Sequence, residues 1–236
     1  MSKSSETLSS RSAWLSPQKQ LFYARLINLG ALLGLLVVLA GSLHLQFGVG
    51  EQPCPLCLVQ RSGMIGLSIG PIMNLLWGIR ARHYALSILA AFIGGMGSVR
   101  QILLHIEYGD PGYGPVYLGF HLYTWALITS VIGAIGCALL LMWETPLRMD
   151  DRGVLGHRGW LRAATLFVVI WVTVDLVIIT VSVLPECGLG MCPDDPADIA
   201  GLGDLVGWLV LLGIAVLSAV IGVVLDRRLP EKPAEA

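Results

Sequence analysis

The sequence predicts an all-α polytopic membrane protein with six transmembrane helices and both termini in the cytoplasm. Three observations predict it. The composition is 55% hydrophobic and only 13% charged over 236 residues, where an ordinary soluble domain carries roughly 25% charged residues; the mean hydropathy is +0.74. Six apolar stretches, at 24–45, 57–78, 84–105, 118–143, 161–184 and 204–225, each reach the ~20 residues that cross a hydrocarbon core. The third observation is the distribution of positive charge. Of the 15 Lys and Arg, 13 fall in the N-terminal segment through Arg25, the 79–83 and 144–162 loops and the C-terminal tail, and none in the loops near 46–56, 106–117 and 185–203. Positive charge stays on the cytoplasmic side, so the three loops without Lys or Arg are expected outside. A formal net charge of −1 offers no basic field for nucleic acid.

Residues 1–20 read as a cytoplasmic tail, 21–145 as a four-helix unit, 146–228 as a two-helix extension and 229–236 as a second tail. The first span carries VLAGS at 38–42, small residues after a leucine-rich run that also suit a signal peptide. Its long polar leader and long apolar run favour a retained helix.

The second span opens with PCPLCLVQR at 53–61. Pro55 suits the first turn of a helix, where its missing N–H costs nothing, so the helix is expected to begin between Cys54 and Cys57 with its positive dipole end beside them. Cys57 and Arg61 are then four apart on one face. A helix N-terminus and a guanidinium both favour thiolate, the reacting form of cysteine. Pro71, deeper in this span, predicts a kink.

The third span ends in SVRQILLH at 98–105. Its Arg100 and Arg61 are the two cations outside the cytoplasmic segments, each about 6–7 Å below its helix end at 1.5 Å per residue. Snorkelling to the headgroups is one reading of both. The other is a polar rim, with His105, His121, Tyr123 and Trp125, around a pocket for an electron acceptor. A quinone suits such a rim: its carbonyls accept hydrogen bonds from cations, its tail dissolves in lipid, and its reduction takes the two electrons a dithiol yields.

In the fourth span Cys137, among Gly133, Gly136 and Ala138, reads as a small packing residue. The fifth carries Asp175, where an ionisable group is costly and marks either function or an interhelical hydrogen bond. Between the fifth and sixth lies ECGLGMCPDD, placing Cys187 and Cys192 on the same outer side as Cys54 and Cys57. Two pairs are suggested, Cys54–Cys57 and Cys187–Cys192. The second is a staple or a redox pair. A disulfide across the tiny Cys-x-x-Cys loop removes little chain entropy, so the first pair is expected to be there for its chemistry. A zinc site would want two further Cys or His ligands at a spacing that His44 and His105 do not provide. No metal is expected. The acidic segment at 193–201 reads as a solvated loop.

These motifs, together with GYGPVYLGFHLYTWAL at 112–127, resemble the DsbB-type disulfide bond formation proteins, membrane quinone reductases that reoxidise a periplasmic thioredoxin-fold dithiol oxidase of the DsbA type. The resemblance covers roughly residues 20–145. It implies a four-helix DsbB-like core, a thiol:quinone oxidoreductase in a bacterial inner membrane, ubiquinone or menaquinone as acceptor, and a DsbA-like partner. Cys57 would face the quinone, Cys54 would exchange with a second cysteine pair, and Arg61, Arg100 and His105 would bind quinone. In the family that second pair lies between spans three and four, where this chain has none; Cys187 and Cys192 would be its displaced equivalent. A vitamin K epoxide reductase type carries its pairs in the opposite order along the chain. A haem carrier using His105 and His121, and a non-catalytic transporter or assembly factor with two structural disulfides, are the other readings.

Overall fold

A computed structural model describes residues 15–156, 158–188, 190 and 200–230. In chain order these form α1 (Pro17–His44), continued by a π-helical turn (Leu45–Val49), then α2 (Pro55–Trp77) and α3 (Ala81–Leu104). A small hairpin of β1 (Val116–Tyr117) and β2 (Phe120–His121) precedes α4 (Leu122–Leu141), α5 (Glu144–Arg148), α6 (Trp160–Cys187) and α7 (Asp204–Arg228). Among the described residues six helices are long and apolar enough to span a membrane, and the protein is an all-α multi-pass membrane protein. Most of both terminal tails lies outside the described residues.

Two span boundaries differ from the sequence expectation. The first span runs from Pro17 to Val49, because Pro17 starts a helix that the polar Gln18, Lys19 and Gln20 tolerate, and Gly50 ends it at φ +99°. The fourth starts at Leu122 rather than 118. Val116 and Tyr117 pair antiparallel with His121 and Phe120 through a tight turn in which Leu118 and Gly119 both have positive φ, a conformation no helix contains.

α2 lies at the centre, packed against α1, α3, α4 and α6, while α6 and α7 form a hairpin laid against α1. The α2–α3 contact is close enough to exclude side chains: a Cβ on Gly63 would stand 2.5 Å from the Gly94 Cα. Such small-residue crossings let helix backbones approach in lipid. Pro71 does not interrupt α2. It cannot donate to the Leu67 carbonyl one turn back; Ser87 Oγ of α3 donates to that carbonyl at 2.7 Å and accepts the Gly70 N–H at 3.1 Å. The partner helix replaces the missing bond.

At the end of the bundle away from the Cys54–Cys57 motif, buried Asp151 accepts from Arg25, from the Ile79 N–H at 3.0 Å and from the Gly153 N–H at 2.9 Å, tying the 149–154 loop to α1 and α2. Arg162 of α6, 1% exposed, bonds the carboxylate and carbonyl of Asp226 on α7. Asn28 donates to the Tyr84 hydroxyl at 2.8 Å, and Asn74 donates to Asn28 at 3.2 Å. Cys137 is buried in the core beside Tyr84 and Ala91. Asp175 is fully buried, and among the described residues neither carboxylate oxygen has a hydrogen-bond partner.

Candidate active site

The Cys54–Cys57 motif caps a helix. Cys54 is the N-cap of α2 in extended geometry, Pro55 is the first helical residue, and the Cys57 N–H donates to the Cys54 sulfur at 3.2 Å. The sulfur thus takes the place of the oxygen that usually accepts from the first helical turn. Gln101 of α3 donates to the same sulfur from 3.3 Å and lies 3.9 Å from the Cys57 sulfur. Both cysteines are free thiols.

These contacts lower the Cys54 pKa from the ordinary 9.0 to about 7, with the Cys57 side chain as the largest cause, burial opposing, and the Cys57 N–H and Gln101 adding to the lowering. Hydrogen bonds to sulfur favour the charged form. Sequence spacing sets the helix end beside both cysteines and Arg61 beside Cys57. The fold gives the cap position to Cys54, whose side chain is 4% exposed.

Cys57 borders a cavity of about 350 Å³. Arg61 and Gln60 of α2, Gln101 of α3, Tyr123 and Trp125 of α4, and Tyr113 of the 105–121 segment share its wall. From α1 and its π-helical end come the apolar Val37, Val38 and Leu45 together with Ser42 and His44. Arg61 is 8% exposed, so it does not snorkel. Its guanidinium donates to Gln46 Oε1 and to the Ser42 carbonyl at 3.0 Å, both at the end of α1. Gln60 donates to Gln101 Oε1 at 2.7 Å, which aims the Gln101 amide nitrogen at the sulfurs. The Tyr113 hydroxyl donates to the Gln52 carbonyl at 2.7 Å and fixes the loop above the cavity.

The other expected site residues are dispersed. Arg100 is exposed on α3 and does not border the cavity. His105 lies behind the wall, with its Nδ1 3.1 Å from Asp110 and its ring stacked on Tyr123 at 5.9 Å. His121 stacks on Tyr123 at 5.1 Å. Cys187 is disulfide-bonded at the end of α6; Cys192, its expected partner, lies outside the described residues. Among the described residues no group of three or more His, Cys, Asp or Glu could hold a metal.

Sequence reasoning missed Gln46, Gln60 and Gln101. The available signal was that polar side chains inside apolar spans face protein partners.

The family model for the disulfide bond formation protein DsbB matches residues 24–112. Proteins named disulfide bond formation protein B are similar over shorter stretches. That of Haemophilus influenzae is 32% identical over 74 residues, 31% of this chain and 40% of that protein. That of Paracidovorax citrulli is 35% identical over 63 residues (27% and 36%), and that of Aromatoleum aromaticum 33% over 82 residues (31% and 49%). The chain thus spans less than half the length of the relatives it matches. No solved structure matches.

Proposed function

From a chain that is DsbB-type across residues 24–112, we propose a membrane thiol:quinone oxidoreductase that makes disulfides for a soluble thioredoxin-fold dithiol protein of the DsbA kind. The observation that carries this reading is that Cys57 and Arg61 share one cavity of about 350 Å³, within the ~300–1,000 Å³ of small-molecule sites. A flat quinone ring fits a wall of aromatic and aliphatic side chains, and Arg61 and Gln60 offer N–H donors to its carbonyls. The opposite bias of positive charge supports placing this end of the bundle on the periplasmic face of a bacterial inner membrane.

In the reduced state Cys54 and Cys57 hold two electrons. Formation of the Cys54–Cys57 bond releases two electrons and two protons, and the quinone takes both pairs and leaves as quinol. The disulfide is then reduced again by thiol exchange, with a dithiol attacking Cys54 and Cys57 leaving. Gln101 stands over both sulfurs to hold charge on either. Cys187 and Cys192 relay electrons from the partner to Cys54. Because Cys54 is buried, the residues over it have to part before exchange.

The test is quinone absorbance followed during incubation of the purified protein with a reduced thioredoxin-fold dithiol protein, comparing wild type with Cys57→Ser. Quinone reduction that disappears in the variant is expected. No reduction by wild type across several quinones and dithiol donors would sink the reading.

A further inference from the structure

The cavity is closed on one side by a residue far beyond the family match. α7 meets the π-helical end of α1 through main chain: the Leu202 and Gly203 N–H groups donate to the Phe47 and Gly48 carbonyls at 2.9 and 3.0 Å. The approach depends on glycine. A Cβ on Gly201 would stand 2.3 Å from the Gly48 carbonyl oxygen, and one on Gly207 2.8 Å from the Gly48 Cα. This contact sets Trp208 against His44, with their rings stacked at 4.1 Å and 21°. Both residues border the cavity.

His44 is held from the same helix. Its Nε2 is 2.7 Å from the Asp204 carboxylate, and among the described residues its buried Nδ1 has no hydrogen-bond partner. Asp204 and the Trp208 face therefore fix the orientation of the ring, and both come from the first turns of α7.

We propose that α7 is part of the acceptor site: Trp208 supplies ring-binding wall to the cavity, and Asp204 is a positioning residue that holds His44 against it. The inference rests on the quinone reading above. A quinone ring is flat and electron-poor, and an indole is the electron-rich aromatic that favours stacking with it. An acceptor without a flat, electron-poor ring would not stack on this wall.

Two measurements on the full-length protein test it. The first is photolabelling with a short-chain azidoquinone, with labelled peptides mapped by mass spectrometry; label within 204–211 as well as on α1 or α2 is expected. The second is steady-state reduction of a short-chain ubiquinone. Trp208→Ala is expected to raise the quinone KM about tenfold with a much smaller change in kcat. Trp208→Phe is expected to restore most of the loss, and Asp204→Asn to give an intermediate rise. Wild-type turnover with label confined to α1–α4, or with KM unchanged in Trp208→Ala and Asp204→Asn, would overturn the proposal and leave the enzyme reading standing. Absence of any wild-type quinone turnover overturns the enzyme reading and this inference with it. If Trp208→Ala does not fold, the labelling pattern and the Phe and Asn variants decide.

Discussion

Gln101 reaches across the α2–α3 seam to place its amide nitrogen 3.3 Å from the sulfur of Cys54. One uncharged side chain thereby solvates the thiolate of a motif whose own helix supplies the other donors. Gln101 is 2% exposed and held by Gln60, so its direction is set before any charge develops.

The pH dependence of Cys54 follows from this geometry. The pKa is lowered to about 7, so the thiolate fraction rises through neutral pH and falls away in acid. Gln101→Leu removes a donor to the charged form and is expected to move the alkylation midpoint of Cys54 upward. Cys57→Ala removes the largest cause and is expected to move it further. The check is the pH profile of iodoacetamide labelling in the reduced protein; an unchanged midpoint in both variants would show that these contacts do not tune the thiol.

Arg61 links α1 to the cavity. Arg61→Lys keeps a charge but cannot serve Gln46 and Ser42 with the two nitrogens of a planar fork. We expect the quinone KM to rise about tenfold in Arg61→Lys and further in Arg61→Met, in line with the ~1.5–3 kcal/mol of a hydrogen bond to a charged group. Steady-state kinetics over a range of quinone concentrations would read both.

The role of the α6–α7 loop is separable from that of the Cys54–Cys57 motif. With Cys187→Ser and Cys192→Ser together, oxidation of the soluble dithiol is expected to stop, while two electrons supplied directly to Cys54–Cys57 by a small dithiol such as dithiothreitol still reach quinone. Retained oxidation of the protein substrate would make the loop pair a staple.

Ser87 answers for Pro71. Ser87→Ala removes the side-chain partner of the Leu67 carbonyl and the Gly70 N–H inside the bundle, and is expected to lower stability by about 1–3 kcal/mol. Thermal unfolding in detergent, followed by tryptophan fluorescence, gives the shift. The double variant Ser87→Ala with Pro71→Ala restores the helical N–H and is expected to recover part of it.

Asp151 gathers an arginine and two main-chain N–H groups in a site where its side chain is inaccessible. Asp151→Ala strands a partly buried guanidinium, and removing one partner of such a pair costs about 3–5 kcal/mol. The same unfolding assay is expected to show a larger loss than for Ser87→Ala.

The number of spans, their order and the start of the second helix between two cysteines were legible in the sequence. Each depends on a local property: the apolar length that crosses a bilayer, or a proline that can stand only at a helix start. The pairing of Cys57 with Arg61 on one wall was legible for the same reason, since four residues make about one turn. What each side chain faces was decided by tertiary structure. In a membrane a helix face turned to lipid is as apolar as one turned to a neighbour, so periodicity does not mark the buried side. That is why Arg61 and Arg100, alike in depth and type, ended differently, one held by Gln46 inside the bundle and the other exposed. Cys54 became the buried cap, Gln101 came to stand over both sulfurs, and Trp208, 151 residues beyond Cys57 in the chain, reached the same cavity only because the glycines at 48 and 207 let two helices touch.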